Sequence, residues 1–259
     1  QQLYPMAQLL NRGFQEAEFP YGKFDLVIGN PPFGDERLTD RNPKRSDISG
    51  MKIHNCVIAK SGMHLRPGGL MAMVVTSRFL DTANPEARSY LAQRFKFLGA
   101  VRLPNNAFAK NAGTEVVTDL VFFQKLMPDE APDMKAAWLQ TGATMKNAAG
   151  EAVSLNQYFA DKPAMMLGEP SMQGTMYGGN RGNEFTLEAR PGQETGKLIG
   201  ALLAGELSDL EGVMTQRAAD MADAAVVTIQ MNREDVGVGG YVQEGDDIFM
   251  RGDDDEHGN

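Results

Sequence analysis

The amino-acid sequence predicts an α/β fold, with one domain over residues 1–127 built around a mostly parallel sheet and an irregular C-terminal arm and helix behind it. Two observations carry this. Short apolar, β-rich runs alternate with stretches of helical period in the first half of the chain. After residue 127, Pro, Gly, Met, Asn and Gln accumulate and no period is sustained, as in PSMQGTMYGGNRGNEF.

The elements follow in order. Strands are predicted near 24–29 (FDLVIG), 70–76 (LMAMVVT), 98–103 (LGAVRL) and 117–124 (VTDLVFFQ). Between the first two, His54 to Leu65 reads as a helix, with Val57, Ile58, Ser61 and Leu65 on one face and Arg66-Pro67-Gly68-Gly69 as the breaker. A second helix spans about Pro85 to Phe95, with Ala87, Tyr90, Leu91 and Phe95 at helical spacing and Pro85 suited to the first turn. Residues 128–192 read as an extended arm. A helical segment occupies 193–233, its helix running from Thr195 to about Ala225 with Leu198, Ile199, Leu202 and Leu203 on one face. Gly-rich, acidic residues 234–259 read as a flexible tail.

Composition narrows the function. A single cysteine excludes an internal disulfide, and three scattered histidines (His54, His64, His257) give no metal-ligand spacing. The expectation is a reducing, cytoplasmic setting with no metal and no membrane contact, since no apolar run reaches the length of a span and the first residues do not resemble a secretory leader. A formal charge of −9 is the wrong sign for a protein that coats nucleic acid, so any DNA contact must be local.

The segment FDLVIGNPPFG (Phe24–Gly34) carries the chemistry. It runs a buried-type strand into Asn30-Pro31-Pro32-Phe33, at the carboxyl edge of a sheet where ligands of open α/β folds bind. An exocyclic amine on a planar ring is a poor nucleophile because its lone pair is delocalised. The Asn30 carboxamide oxygen and the Pro31 carbonyl can accept its two N–H bonds and localise electron density on nitrogen. Proline suits that position because it holds φ fixed and has no N–H. Phe33 can stack on the ring, an interaction worth roughly 1–3 kcal/mol per base. A strand-terminal turn with a packed phenylalanine is the plain alternative.

With these flanks, Asn30-Pro31-Pro32-Phe33 resembles motif IV of the amino-group DNA methyltransferases. LRPGGLMAMVVTSRFLD (Leu65–Asp81) is similar to the helix end and strand that follow it in that family, and Leu98–Lys125 to the motif VIII region and terminal hairpin. LYPMAQLLNRGFQEAEF resembles the short strand and acidic turn of motif III, with a strand near Ala7–Phe14. The likeness covers about residues 1–127; more loosely, Leu155–Glu169 is similar to large phage and plasmid proteins that join a methylase to a helicase. The resemblance implies a site-specific DNA adenine-N6 methyltransferase, of the kind found in restriction-modification systems, that uses S-adenosylmethionine on a flipped adenine. Asn30, Pro31, Pro32 and Phe33 are then the catalytic residues, and Glu16 the cofactor-binding acid.

The chain departs from that family at the donor. No Gly-rich loop leads from a strand into a helix: Gly178-Gly179-Asn180-Arg181-Gly182 and Gly237-Val238-Gly239-Gly240 are not followed by helical sequence. The resemblance therefore implies a partial Rossmann-like sheet, strands 3 to 7 of the family order 3-2-1-4-5-7-6, with strands 1 and 2 absent and an apolar edge for a second chain or an upstream segment to complete. A non-catalytic DNA- or partner-binding module is the alternative function, with protein glutamine or RNA guanine methylation ranked below it.

Other residues admit two readings. Arg37, Arg41, Lys44, Arg45 and Lys52 follow the motif and read equally as a phosphate-contacting DNA-binding loop or as a solvated one diluted by Asp35, Glu36, Asp40 and Asp47. His54 and Asn55, at the start of the helix, admit a site-facing reading, with Asn55 read better as its N-terminal cap; Cys56 reads as a core thiol and Trp138 as packing.

Overall fold

The computed structural model of the chain describes residues 10–39, 42, 45–109, 115–174, 184–205 and 207, and the backbone of 241–244 and 247–250. The chain divides into two compact units, residues 1–218 and 219–259.

The first unit is built on a mixed sheet of four strands, β1 (Phe24–Gly29), β2 (Leu65–Thr76), β3 (Phe95–Leu103) and β4 (Thr118–Lys125), in the order β1-β2-β4-β3. Here the expected mostly parallel sheet is corrected, because only β1 and β2 are parallel. They are joined through helix α1 (Ile53–Met63), the crossover that parallel pairing needs. Strand β4 is antiparallel to β3 and also pairs antiparallel with β2. Its Val121 and Phe123 are fully buried at the centre of the core. The expected strand near Ala7–Phe14 is also corrected over its described part: residues 10–14 form no strand, and the N–H groups of Glu16 and Ala17 close a turn on the Gly13 carbonyl at 2.9 and 3.1 Å.

Two boundaries move for reasons the packing makes plain. Arg66 to Gly69 do end the helix region, but they lie inside β2 as a bulge, with pairing jumping from Phe24–Leu65 to Leu26–Leu70. Gly68 has φ +74°, and a Cβ on Gly69 would lie 2.9 Å from the Arg66 carbonyl and 3.1 Å from that of Asp25. After the short helix α2 (Arg78–Asp81), α3 spans only Glu86–Ala92. Phe95 and Phe97, which continue its period, are instead drawn into β3, where Phe95 is 3% exposed and Phe97 stacks on Trp138 at 5.0 Å. Burial of these rings outweighs helical propensity there.

The described residues of 128–192, expected to be extended, fold back on the sheet. They contain a 3-10 turn at Ala137–Leu139, the hairpin β5 (Ala143–Lys146) and β6 (Ala152–Leu155), helix α4 (Gln157–Asp161), a second 3-10 turn at Pro163–Met165, and the antiparallel pair β7 (Glu169–Gly174) and β8 (Glu184–Glu188). Asn156 explains part of the attachment. Its Oδ1 caps α4 on the Tyr158 N–H at 2.9 Å, its Nδ2 donates to the carbonyls of Leu80 (2.8 Å) and Trp138 (2.9 Å), and its backbone N–H donates to Asp81. Tyr158 in turn bridges to the Ala100 backbone. Beneath it, Arg102 is fully buried and pairs with Asp119 through Nε (2.7 Å) and Nη2 (2.9 Å) and with Asp81 through Nη1 (2.8 Å).

Helix α5 begins at Thr195 as expected but ends at Ala204, with Gly205 in the C-cap position, so the expected helix to about Ala225 is corrected over its described part; residues 208–225 lie outside the described residues. In the second unit, β9 (Tyr241–Glu244) and β10 (Asp247–Met250) form an antiparallel hairpin within the expected tail. Among the described residues, no helix is long and apolar enough to cross a membrane, and no group of His, Cys, Asp and Glu could hold a metal ion.

Candidate active site

Strand β1 delivers the motif. It lies at one edge of the sheet and ends at Gly29, so Asn30 leaves the carboxyl end of the strand as an exposed side chain. The Asn30 carboxamide makes no hydrogen bond with the described residues and is available to a ligand. Pro31 is buried and Pro32 exposed, while Phe33 stands 42% exposed. A buried proline beside an exposed amide and ring gives a rigid step with two groups aimed at solvent.

Next to Phe33 opens a cavity of about 540 Å³ between Phe33 and Gly34, the start of α1 and the segment after β2; Asn30, Pro31 and Pro32 do not line it. Three rings form one wall. His54 packs edge-on against Phe33 (centroids 5.8 Å, 69° between planes) and against Phe79 (5.9 Å, 73°). Burial is the main cause that holds the His54 imidazole down at a pKa of about 4, against a small opposing effect from its contact with Asn55, so the ring is neutral near pH 7. Arg37, Lys52 and Arg78 line the same cavity and are exposed, with Arg88 buried behind them. Against these four cations stand Asp35 and Glu86. Asp35 is bonded to Lys52 at 2.5 Å, and that hydrogen bond chiefly holds its carboxyl below the usual range. A strongly acidic chain thus carries a locally cationic hollow beside its aromatic motif.

The loop between motif and helix is tied down. Arg37 and Lys52 form an isolated antiparallel bridge, the Ile53 N–H donates to the Glu36 carbonyl at 2.7 Å, and the Leu38 N–H to that of Met51 at 3.1 Å. These bonds bring Arg37 and Lys52 to the cavity. Arg45 goes elsewhere: 1% exposed, it pairs with both oxygens of Glu18 (2.5 and 2.9 Å) and with the Tyr21 hydroxyl (3.0 Å). Arg41 and Lys44 lie outside the described residues. Glu16 is exposed in the Gly13–Ala17 turn and does not line the cavity.

The cap reading of Asn55 is corrected. Helix α1 starts at Ile53 with Lys52 in the cap position and no side-chain cap, which puts Asn55 inside the first turn and on the cavity wall. Cys56 is buried at 2% in the core. Sequence reasoning missed Thr76, Arg78 and Phe79 as site residues. They follow β2 directly, and the rule that ligands bind outside strand ends could have found them once the second strand was placed.

The edge of β1 away from β2 has no partner among the described strands. Phe24, Leu26 and Ile28, alternate residues on one face, are 39%, 40% and 74% exposed. A strand with a parallel neighbour is ordinarily covered on both faces.

Residues 6–108 match the family model of the Eco57I restriction-modification methylase. Over 107 residues the chain is 33% identical to the Defense against restriction protein B of Escherichia phage P1, a stretch that is 41% of this chain and 5% of that protein. Among solved structures, it is similar to the M protein of the type I restriction enzyme EcoKI (26% identity, 43% of this chain and 23% of that one, TM-score 0.33). A Listeria monocytogenes protein assigned as a class I S-adenosylmethionine-dependent methyltransferase aligns at 19% identity over 46% of this chain and 37% of its own, with TM-score 0.37. The chain therefore resembles a restriction-modification methylase over residues 6–108 and spans a small part of the curated relative it matches.

Proposed function

We propose that the chain is the amine-methylating portion of a DNA adenine-N6 methyltransferase. The observation that carries this reading is the arrangement at the end of β1: an unengaged Asn30 amide and a buried Pro31 lead directly into a half-exposed Phe33 that lines a cationic, ring-walled cavity, all inside the stretch that matches the methylase family. The Asn30 oxygen and Pro31 carbonyl accept the two N–H bonds of the target amine, Phe33 stacks on the base, and Arg37 and Lys52 face the DNA backbone. When bound, S-adenosylmethionine supplies an electrophilic methyl group for direct transfer to that nitrogen. The chain's residues contribute position and electron density rather than a covalent intermediate.

The strand order supports the same reading, since β1-β2-β4-β3 with antiparallel β4 corresponds to the 4-5-7-6 part of the family order. In that order the donor-binding strand lies next to β1, on the edge whose Phe24, Leu26 and Ile28 are exposed. We therefore place the donor loop on a polypeptide segment that pairs with β1, either from a second chain or from sequence ahead of Gln1. Glu16, exposed near the start of the described residues, is the residue of this chain proposed to reach the donor.

Radiolabelled methyl transfer tests the reading. The polypeptide carrying this chain, given labelled S-adenosylmethionine and DNA from a methylation-deficient host, is expected to place label in N6-methyladenine. Recovery of the label in another base, in protein or in RNA would overturn the assignment.

A further inference from the structure

Phe33 lines the cavity of about 540 Å³, whereas Asn30 and Pro31 lie outside it. Adenine carries its amine and its glycosidic nitrogen at opposite ends of the ring system. A base held at the amine by Asn30 and Pro31 and stacked on Phe33 therefore has its sugar, and the phosphate beyond, at the end remote from the amine. The cavity adjoining Phe33 offers that end a place.

Its chemistry suits an anion. Four cations and two acids line it, a surplus of two positive charges in a chain whose formal charge is −9. The cations come from separate parts of the fold: Arg37 from the loop after the motif, Lys52 from the start of α1, Arg78 from α2 and Arg88 from α3. Arg88 is 1% exposed and donates to the carbonyls of Phe79 (2.9 Å) and Thr82 (2.7 Å), so its charge is fixed behind the wall, where salt screens it little. Arg37 is held through Nη1 on the Gly50 carbonyl at 2.6 Å. The Asn84 Oδ1 accepts from the Glu86 N–H at 3.0 Å, so the group it presents to a ligand is its NH2 donor. Arg78 is exposed, and a planar guanidinium fork matches two oxygens of a phosphate. In the structure Lys52 is occupied by Asp35 at 2.5 Å, but the two side chains are 49% and 88% exposed, and a pair so open to water is easily exchanged.

Resting on the adenine reading above, we propose that this cavity seats a backbone phosphate next to the flipped adenine, that Arg78 is its principal ligand, and that Asp35 competes with that phosphate for Lys52. The phosphate contact fixes where the sugar stands while Asn30 and Pro31 hold the amine, so the base is fixed at both ends. Asp35 lowers affinity for every strand alike and leaves the seat to a phosphate that Arg78 and Lys52 can reach together.

The test measures binding of a single-stranded oligothymidylate with one central adenine to this chain, by fluorescence anisotropy over a range of salt. Arg78→Gln is expected to reduce the slope of log affinity against log salt by about 0.7, the effect of one phosphate contact on a single strand. Lys197→Gln, the same charge change at an exposed cation outside the cavity, should leave the slope as it is. Arg78→Lys keeps the charge and should keep the slope, and it provides the comparison if Arg78→Gln does not fold. Asp35→Asn should tighten binding about two- to fivefold, a gain that vanishes when Lys52→Gln is added. A methylphosphonate at one of the two positions flanking the adenine should weaken wild type roughly tenfold and Arg78→Gln not at all. Equal salt slopes for wild type, Arg78→Gln and Lys197→Gln would overturn the seat. Arg78-dependent binding of deoxyadenosine monophosphate with Arg78-independent binding of the oligonucleotide would also overturn it, in favour of a free nucleotide. Methyl transfer is read separately. Labelled N6-methyladenine with an unchanged KM for DNA in Arg78→Gln would overturn the seat and leave the methylation reading standing, whereas an Arg78-dependent slope without labelled adenine would overturn that reading and leave the phosphate seat.

Discussion

At the residue scale, His54 connects site chemistry to stability. Its folded pKa near 4 lies below the ordinary value of 6.5, so the unfolded chain binds the extra proton first as pH falls. Its stability contribution is complete above pH 6.5 and is lost progressively down to about pH 4, to an extent on the order of 3 kcal/mol. His64, lowered mainly by burial, adds in the same direction. Urea unfolding at pH 7 and pH 4.5 is expected to show lower stability at the acid end, and His54→Phe should flatten that dependence while leaving stability at pH 7 equal or higher. A variant with the wild-type slope would mean that the imidazole is not held neutral by burial.

Asn30 presents the opposite case. It is exposed and has no bonds to lose, so Asn30→Ala should leave the melting temperature within the small range of surface substitutions. The NPPF residues at the end of a strand were legible in the sequence because rigid proline geometry after an apolar strand is a local property. His54 was legible only as a residue that could face the site, and Arg78 and Phe79 not at all, because their meeting depends on how α1 and the end of β2 converge.

At the element scale, β1 and the buried ion pair set different expectations. Ile28 at 74% exposure on an open edge makes the chain prone to strand-to-strand association. Ile28→Lys is expected to reduce light scattering on concentration without lowering the melting temperature, since its side chain contributes little to the core. An unchanged scattering profile would mean that the edge is already covered. Asp119, fully buried against Arg102, behaves otherwise: Asp119→Asn leaves a buried guanidinium with one carboxylate fewer and should cost about 3–5 kcal/mol in denaturant melts. Helix α1 and the strands β1 to β4 were legible from periodicity. The bulge at Arg66–Gly69 was not, because Pro-Gly-Gly looks like a terminator whether it ends a helix or kinks a strand, and only the close approach of the Asp25 carbonyl to Gly69 decides between them.

At the scale of the whole molecule, charge and topology point the same way. A chain of net charge −9 can hold DNA only where it gathers cations, and Arg37, Lys52 and Arg78 are gathered at the cavity. The mixed sheet was misread as mostly parallel because β3 and β4 have the same apolar composition as parallel strands, and direction is set by the connection rather than by the strand. The arm looked structureless because its short hairpins have no sustained period; their stability comes from contacts such as Asn156 with Leu80 and Trp138, which are distant in sequence.

The central claim is that Asn30, at the carboxyl end of β1, activates an adenine amine for methylation. Mass spectrometry of DNA from a methylation-deficient host expressing the polypeptide that carries this chain, as wild type and as Asn30→Ala, tests it most directly. N6-methyladenine is expected with wild type and a loss of about 10²–10³-fold with the variant at equal protein level. N6-methyladenine at the wild-type level in Asn30→Ala would contradict the claim.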